Sequence, residues 1–156
     1  MNIELKEKLS GFKGHVKCEL FDLSGKIIET KEYDNLVVNI AKNAFAAMLN
    51  NEVSAFDGVI NYGAVGTDTS SPAATDTQLV AEVARVVVEN NSRTANVATI
   101  TFYFDPTTGN GLLKEFGAFI AGSASANTGY LFDRVNIDVP KTSLNALRIT
   151  LTITVS

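Results

Sequence analysis

The chain has 156 residues, 46% hydrophobic and 19% charged, with a formal net charge of -4. That apolar share supports a packed core and excludes wholesale disorder, while no apolar run reaches the ~18 residues a membrane helix needs. The negative balance argues against general nucleic-acid binding, and a single Cys with a single His leaves no internal disulfide and no His/Cys zinc site within one chain.

Met1 to Ser10 carries lysines but no apolar h-region, which predicts no secretory leader. The lone Cys18 fits synthesis in a reducing compartment. Residues 1–13 hold Ile3, Leu5 and Leu9 among Glu4, Lys6, Glu7 and Lys8, a pattern for a short amphipathic helix or an extended arm that docks on a neighbour.

From Gly14 the period becomes two, with Val16, Cys18 and Leu20 alternating with Lys17 and Glu19. Asp22-Leu23-Ser24-Gly25-Lys26 supplies turn residues, and Ile27 to Tyr33 returns, giving a β-hairpin over 15–33. Asn39 is the expected N-cap of a helix over 40–50, in which Ile40, Ala44, Phe45, Met48 and Leu49 fall at helical spacing. This helix reads as core packed on a sheet.

Val59 to Val65 reads as a strand and Gly66 to Thr75 as a long loop. Asp76 or Thr75 is expected to cap a short helical turn through Leu79 and Val83. Arg85 to Glu89 is a strand, Asn90-Asn91-Ser92 a turn, and Val97 to Phe104 a strand with Ile100, Phe102 and Phe104 on one face. Asp105 to Gly111 is a dense turn signal. Leu113 to Ile120 is a strand, Gly122 to Gly129 a mobile surface loop, and Tyr130 to Val139 a strand broken by Pro140. Leu147, Ile149, Leu151, Ile153 and Val155 then alternate strictly with polar residues, which pins the carboxyl end in a sheet.

About seven or eight strands and one helix, without βαβ alternation, predict a mainly β fold. The expected architecture is an antiparallel β-sandwich or partly closed barrel with one packed helix at about 40–50. The expected organisation is an arm or short helix over 1–13 and a single β-sandwich domain over 14–156.

No side chain is assigned a catalytic, cofactor-binding or metal-binding role. Gly63-Ala64-Val65-Gly66-Thr67 superficially resembles a phosphate loop but lacks the Gly-Lys-Ser/Thr ending, so it reads as a strand bending out of a sheet. His15, beside Lys13 and Lys17, has no nucleophile or orienting acid nearby in sequence and reads as an exposed strand-end residue. Cys18 sits in an apolar slot and reads as core. Asp57, Asp68, Asp76 and Glu82 lie in a stretch, Asn43 to Ala84, without Lys or Arg. Their spacing is not that of a calcium loop. They form a solvated surface or, against the lysines from Lys6 to Lys42, an opposite patch that sets register between identical copies. Glu115 and Arg134 sit where they can pair across neighbouring strands.

Two segments carry a family resemblance. The first is Tyr62-Gly63-Ala64-Val65-Gly66-Thr67, then Pro72, Asp76-Thr77, Leu79 and Glu82-Val83-Ala84-Arg85. The second is Glu115-Phe116-Gly117-Ala118-Phe119, then Gly129-Tyr130-Leu131-Phe132-Asp133-Arg134, Lys141-Thr142 and the Thr-rich terminal strand. With the Gly25 hairpin and Asn35-Leu36-Val37-Val38-Asn39, the chain resembles small virion structural proteins of tailed bacteriophages and prophages over roughly residues 14–156. The resemblance implies a non-enzymatic β-rich building block present in many copies. It implies a place in the tail, baseplate or fibre region, or else in capsid decoration or the neck. The implied partners are other copies and other virion proteins, with host-surface contact as a further option and neither nucleic acid nor membrane. The implied location is the virion, after a stay in the host cytoplasm.

Two rival classes make their own demands. A receptor- or glycan-binding module predicts an aromatic patch among the loops at 66–75, 105–112 and 122–129, or a platform built from Tyr33, Tyr62, Tyr103 and Tyr130. A hydrolase using Asp or Glu predicts a cleft with two facing carboxylates.

Overall fold

The structure, a computed structural model, describes residues 11–52 and 56–156. The expected arm or short helix lies outside the described residues as far as Ser10, and Phe12 and Lys13 already belong to the first strand. The elements are β1 (Phe12–Asp22), β2 (Ile27–Val37), α1 (Asn39–Leu49), β3 (Ile60–Gly66), β4 (Glu82–Thr94), β5 (Val97–Phe104), β6 (Gly111–Ile120), β7 (Tyr130–Lys141) and β8 (Asn145–Val155). Among the described residues the fold is mainly β with one helix. Its eight strands close in the order β1-β2-β7-β6-β3-β4-β5-β8, every neighbouring pair antiparallel.

The barrel closes fully, where the sequence left a sandwich or partial closure open. Two corner strands make the difference. β2 pairs with β1 as far as Asn35 and then with β7 through Leu36 and Val37. β4 pairs with β3 through Val87 and with β5 from Val88 onward, with a register shift between Val88 and Asn90. A strand that changes neighbour at a bulge turns a corner and joins what would be two separate sheets.

Alternate residues fill the interior, among them Val16, Cys18 and Leu20 from β1, Ile100, Phe102 and Phe104 from β5, and Leu147, Ile149 and Leu151 from β8. Each fully buried Leu or Phe stabilises the fold by about 1.5–3 kcal/mol relative to exposure. α1 follows β2 and covers the mouth at which β1 begins. Its Ala41 and Ala44 are buried. Phe45 meets the rings of Phe12, Phe56 and Phe132 at 5.2, 5.0 and 6.4 Å.

Several local expectations are corrected. Val38, not Asn39, is the N-cap of α1 and makes no side-chain cap bond. The Asn39 amide instead donates to Ala74 O at 2.8 Å, so a loop carbonyl satisfies the helix start. Thr75 to Val83 forms no helical turn, and Val83 lies in β4. The amides of Val80 and Ala81 are taken by the Glu115 carboxylate. Asn90-Asn91-Ser92 continues β4, and the turn comes at Ala95-Asn96, with Ala95 at φ 51.

Pro140 does not break β7, which runs on to Lys141. Alternate N–H groups face the same edge of a strand. Asp138 N donates to Tyr33 Oη at 3.0 Å, so the missing donor of Pro140 falls on the same, β2-facing edge, where the β2 ladder has already ended.

Candidate functional site

The polar groups that the barrel buries gather around its long loops. Residues 67–81 form a strap across the outer face of β3, β6 and β7. Leu79 seats it in a second apolar cluster with Val38, Ala64, Phe119 and Leu131. Beneath the strap, Arg134 and Glu115 are 1% and 0% exposed. They sit diagonally across the β6–β7 ladder, since Arg134 lies opposite Gly117 and Glu115 opposite Asn136. Arg134 Nε donates to Glu115 Oε2 at 3.0 Å, Nη1 to Asp76 Oδ2 at 2.9 Å and Nη2 to Ser70 O at 3.1 Å. Asp68 Oδ1 stands 3.5 Å from Nη2.

Glu115 in turn accepts from Val80 N at 3.1 Å and Ala81 N at 2.7 Å. Gly66 makes room for this carboxylate: a Cβ there would fall 2.4 Å from Glu115 Oε1 and 2.5 Å from Ala81 O. The expected cross-strand partners therefore meet, but as a buried loop anchor. Asp76 belongs to the same anchor. It accepts from Ala73 N at 2.9 Å and from Arg134, and caps no helix.

Two further buried cations repeat the arrangement. Arg85 is bound by Glu82, Nε to Oε1 at 2.6 Å and Nη2 to Oε2 at 2.9 Å. Its Nη1 reaches Ser123 O, Thr128 O and Thr128 Oγ1 at 3.0, 3.1 and 3.0 Å, which ties down the 121–129 loop. Its guanidinium lies 4.6 Å from the centre of the Phe119 ring. Lys141 is 2% exposed, and burial lowers its pKa. It donates to Asp105 O at 2.6 Å and Asn110 Oδ1 at 2.8 Å, holding the 105–110 loop. Thus Arg134, Arg85 and Lys141 each fasten one long loop. The sequence reading missed this role. The available signal was a charge set among apolar strand residues in a chain with few charges.

Inside the barrel, Asp133 is 0% exposed. It accepts from Ala118 N at 3.2 Å and from Asn35 Nδ2. Burial raises its carboxyl from 3.8 to about 7, against the lowering effect of those two bonds.

The acidic stretch is largely spent inside the chain. Asp68 and Asp76 meet Arg134, Glu82 meets Arg85, and Asp57 Oδ1 accepts from Val59 N at 2.9 Å. No group of three or more His, Cys, Asp or Glu poised for a metal occurs among the described residues. The glycines of the phosphate-loop look-alike serve close packing: a Cβ at Gly63 would fall 2.5 Å from the Phe102 ring.

His15 lies between Asp34 Oδ1 at 3.1 Å and Glu32 Oε1 at 3.2 Å, and these acids raise its pKa. Two orienting acids are therefore present, although none adjoins it in sequence. Cys18 is buried in the core, and desolvation pushes its thiol up to about 12, away from reactivity at neutral pH.

The four tyrosines take separate partners. Tyr33 binds Asp138 N, Tyr62 lies under Arg85, Tyr130 packs on Phe56, and Tyr103 stands by Arg148. The three loops named for an aromatic patch contain no aromatic residue. Arg148 lies 5.4 Å from both the Phe21 and Tyr103 ring centres, in a groove of about 310 Å3 bounded also by Leu23, Pro106 and Ala146. Around the barrel end where β1 finishes, Leu23, Ile27, Ile28, Leu112 and Leu144 are exposed. No helix of the described residues is long and apolar enough to cross a membrane. Compared with protein-family models, curated proteins and solved structures, the chain shows no match.

Proposed function

We propose that the chain is a non-enzymatic structural protein of a tailed-bacteriophage virion, assembled in multiple copies and docked to other virion proteins in the tail, baseplate or fibre region. The observation that carries this reading is the aliphatic rim of Leu23, Ile27, Ile28, Leu112 and Leu144. These residues stand on or beside β1, β2, β6 and β8 at one end of the barrel. Exposed aliphatic side chains placed around one barrel end offer apolar surface for another protein to cover. The three fastened loops support the same reading, because a lattice subunit needs faces that keep their shape. Asp76, Glu82, Arg85, Glu115, Arg134 and Lys141, which help carry the family resemblance, are the residues that do the fastening. What the resemblance marks is framework.

Capsid decoration or a place in the neck is a variant of this reading with the same chemistry. A receptor- or glycan-binding role is the second reading, favoured by the groove beside Tyr103 and Arg148. Antibody labelling of purified particles tests the first: label at the tail or baseplate is the expected result, and particles free of the chain overturn it. Light scattering tests association. The chain is expected to form concentration-dependent oligomers that Ile28→Asp weakens, and a monomer at every concentration counts against self-assembly. Glycan-array binding by the isolated monomer would favour the second reading.

A further inference from the structure

The barrel wall has one short seam. β2 and β7 meet at two residue pairs, Leu36 opposite Arg134 and Val37 opposite Asp133, whereas every other junction has at least five. Beyond those two pairs, side chains bridge the strands. Tyr33 Oη accepts from Asp138 N, and Lys31 Nζ donates to Asp138 O at 2.5 Å. Val38 N donates to Phe132 O at 3.1 Å and extends the seam by one bond toward α1.

Asp133 stands in this seam and faces inward. Residues directly opposite each other on neighbouring strands share a face. Asp133 lies opposite Val37 on one side and Ala118 on the other, both members of the main core. Asn35 is its side-chain partner, and the Asn35 amide lies across Gly14, where a Cβ would fall 1.8 Å from Asn35 Oδ1. That same Oδ1 is buried without a hydrogen-bond partner among the described residues.

The orphan oxygen has a meaning for the proton. An ionised carboxylate only accepts, whereas a neutral carboxyl also has an O–H to donate. A half-turn of the Asn35 amide presents Oδ1 to that proton. The pair thus has a hydrogen bond for either state, but only the neutral state suits an apolar interior.

The charged groups on the surrounding elements are engaged elsewhere. Lys13 on β1, Asp34 on β2 and Lys42 on α1 are exposed. His15 on β1 binds Asp34 and Glu32, and Glu115 on β6 binds Arg134 on β7 beneath the strap. The influences on the Asp133 carboxyl are burial and the bonds from Ala118 and Asn35.

We propose that Asp133 is a proton-operated latch on the β2–β7 seam: the neutral carboxyl holds the seam shut, and ionisation favours the opened form. Opening lets water reach the carboxylate, so the open form gives up the proton more readily than the closed form. Linkage then requires the open population to grow about tenfold per pH unit from about pH 4 to about pH 7, and to level off above. Opening frees the backbone edges at Leu36–Val37 and Asp133–Arg134, groups able to accept another strand. The latch does not depend on the proposed virion role.

Hydrogen exchange of the full chain, read amide by amide and corrected for the intrinsic rate, tests it. Protection at Val38 N is expected to fall about fiftyfold between about pH 5 and about pH 7 and to change little by about pH 8. Asp133→Asn, permanently neutral, is expected to flatten the profile, while His15→Gln keeps it. A flat wild-type profile, or a slope that persists in Asp133→Asn, overturns the proposal. So does protection at Val38 N equal to that at Leu151 N on β8 at every pH, which would mean that the seam opens only when the whole barrel unfolds. Should Asp133→Asn fail to fold, the carboxyl carbon of Asp133 in the wild type can be titrated directly by NMR. A midpoint near 7 supports the latch, and one below about 5 overturns it.

Discussion

Asp133 and Arg134 are neighbours in the chain, both essentially without solvent contact, and they meet opposite fates. Arg134 turns to the outer face, where the strap brings Glu115, Asp76 and the Ser70 carbonyl to its donors. Asp133 turns inward, where apolar strands offer one amide N–H and one Asn side chain. A buried charge is held when its surroundings supply enough matched partners. A loop laid over a sheet supplies them cheaply, because its backbone groups need partners as well. A barrel interior built from alternate apolar residues does not.

Removing the well-matched charge is expected to cost the most. Arg134→Met leaves Glu115 and Asp76 beneath the strap without their cation, and stability measured by chemical denaturation near neutral pH should fall by about 3–5 kcal/mol. Adding Glu115→Leu to that variant should recover part of the loss, since the stranded carboxylate is then gone. A loss under about 1 kcal/mol for Arg134→Met would erase the contrast between the two faces.

The poorly matched charge should appear as a pH dependence. The Asp133 carboxyl is raised from 3.8 to about 7, so the folded chain holds a proton that the unfolded chain has released between those values. Its stabilising effect is complete below about pH 4 and is lost as pH rises to about 7, a change on the order of a few kcal/mol. Asp133→Asn should remove this slope and be no less stable than the wild type near pH 8. His15 works in the same direction, because Asp34 and Glu32 raise its pKa above 6.5 and its contribution fades as pH rises through that raised value. It is half-exposed, so its share is small. A wild-type denaturation midpoint that does not fall from about pH 5 to about pH 7 would contradict the assignment.

On the outer face, directly opposite Arg134 in the ladder, lies Gly117. A Cβ there would stand 2.8 Å from Leu131, 2.9 Å from Leu79 and 3.0 Å from the Asp133 carbonyl oxygen. The two leucines can shift, but the backbone oxygen cannot easily do so. Gly117→Ala should cost about 1–3 kcal/mol, seen as a lower thermal midpoint. No loss would mean that the strap sits more loosely than Leu79 implies.

How much of this was legible depended on how far each residue's partner lies along the chain. β5 and β8 carry their inward face in strict alternation, so Ile100, Phe102 and Phe104, or Leu147, Ile149, Leu151 and Ile153, declare themselves. The β1–β2 hairpin has its turn residues between its arms and was equally plain. The corners were not, because β2 and β4 divide their lengths between neighbours that come much later or earlier in sequence. The strap was misread for the same reason. Asp76 and the amides of Val80 and Ala81 carry the local chemistry of a helix start, and Glu115 and Arg134 claim those groups from 34 to 58 residues away. The 121–129 loop, small and polar, gave no hint that Arg85 would fasten it. Glu115 and Arg134 could be named as a pair, yet alternation could not reveal that a strap buries the outer face of their strands.

The smallest expected effect comes from a salt bridge that resembles the Arg134 anchor in chemistry but not in setting. Arg148 Nε and Nη2 donate to the two Glu89 oxygens, each at 2.9 Å, across the outer surface. The guanidinium also lies between the Phe21 and Tyr103 rings. Its side chain is 36% exposed and that of Glu89 35%, so water screens the pair and would solvate either member left alone. Arg148→Lys keeps the charge but loses the two-pronged bond and the flat contact with the rings. The cost should be about 0.5–1 kcal/mol, and it should shrink further in high salt. A loss as large as that for Arg134→Met would show that geometry alone sets the worth of these pairs. A small one confirms that the strap, by excluding water, is what makes the Arg134 anchor strong.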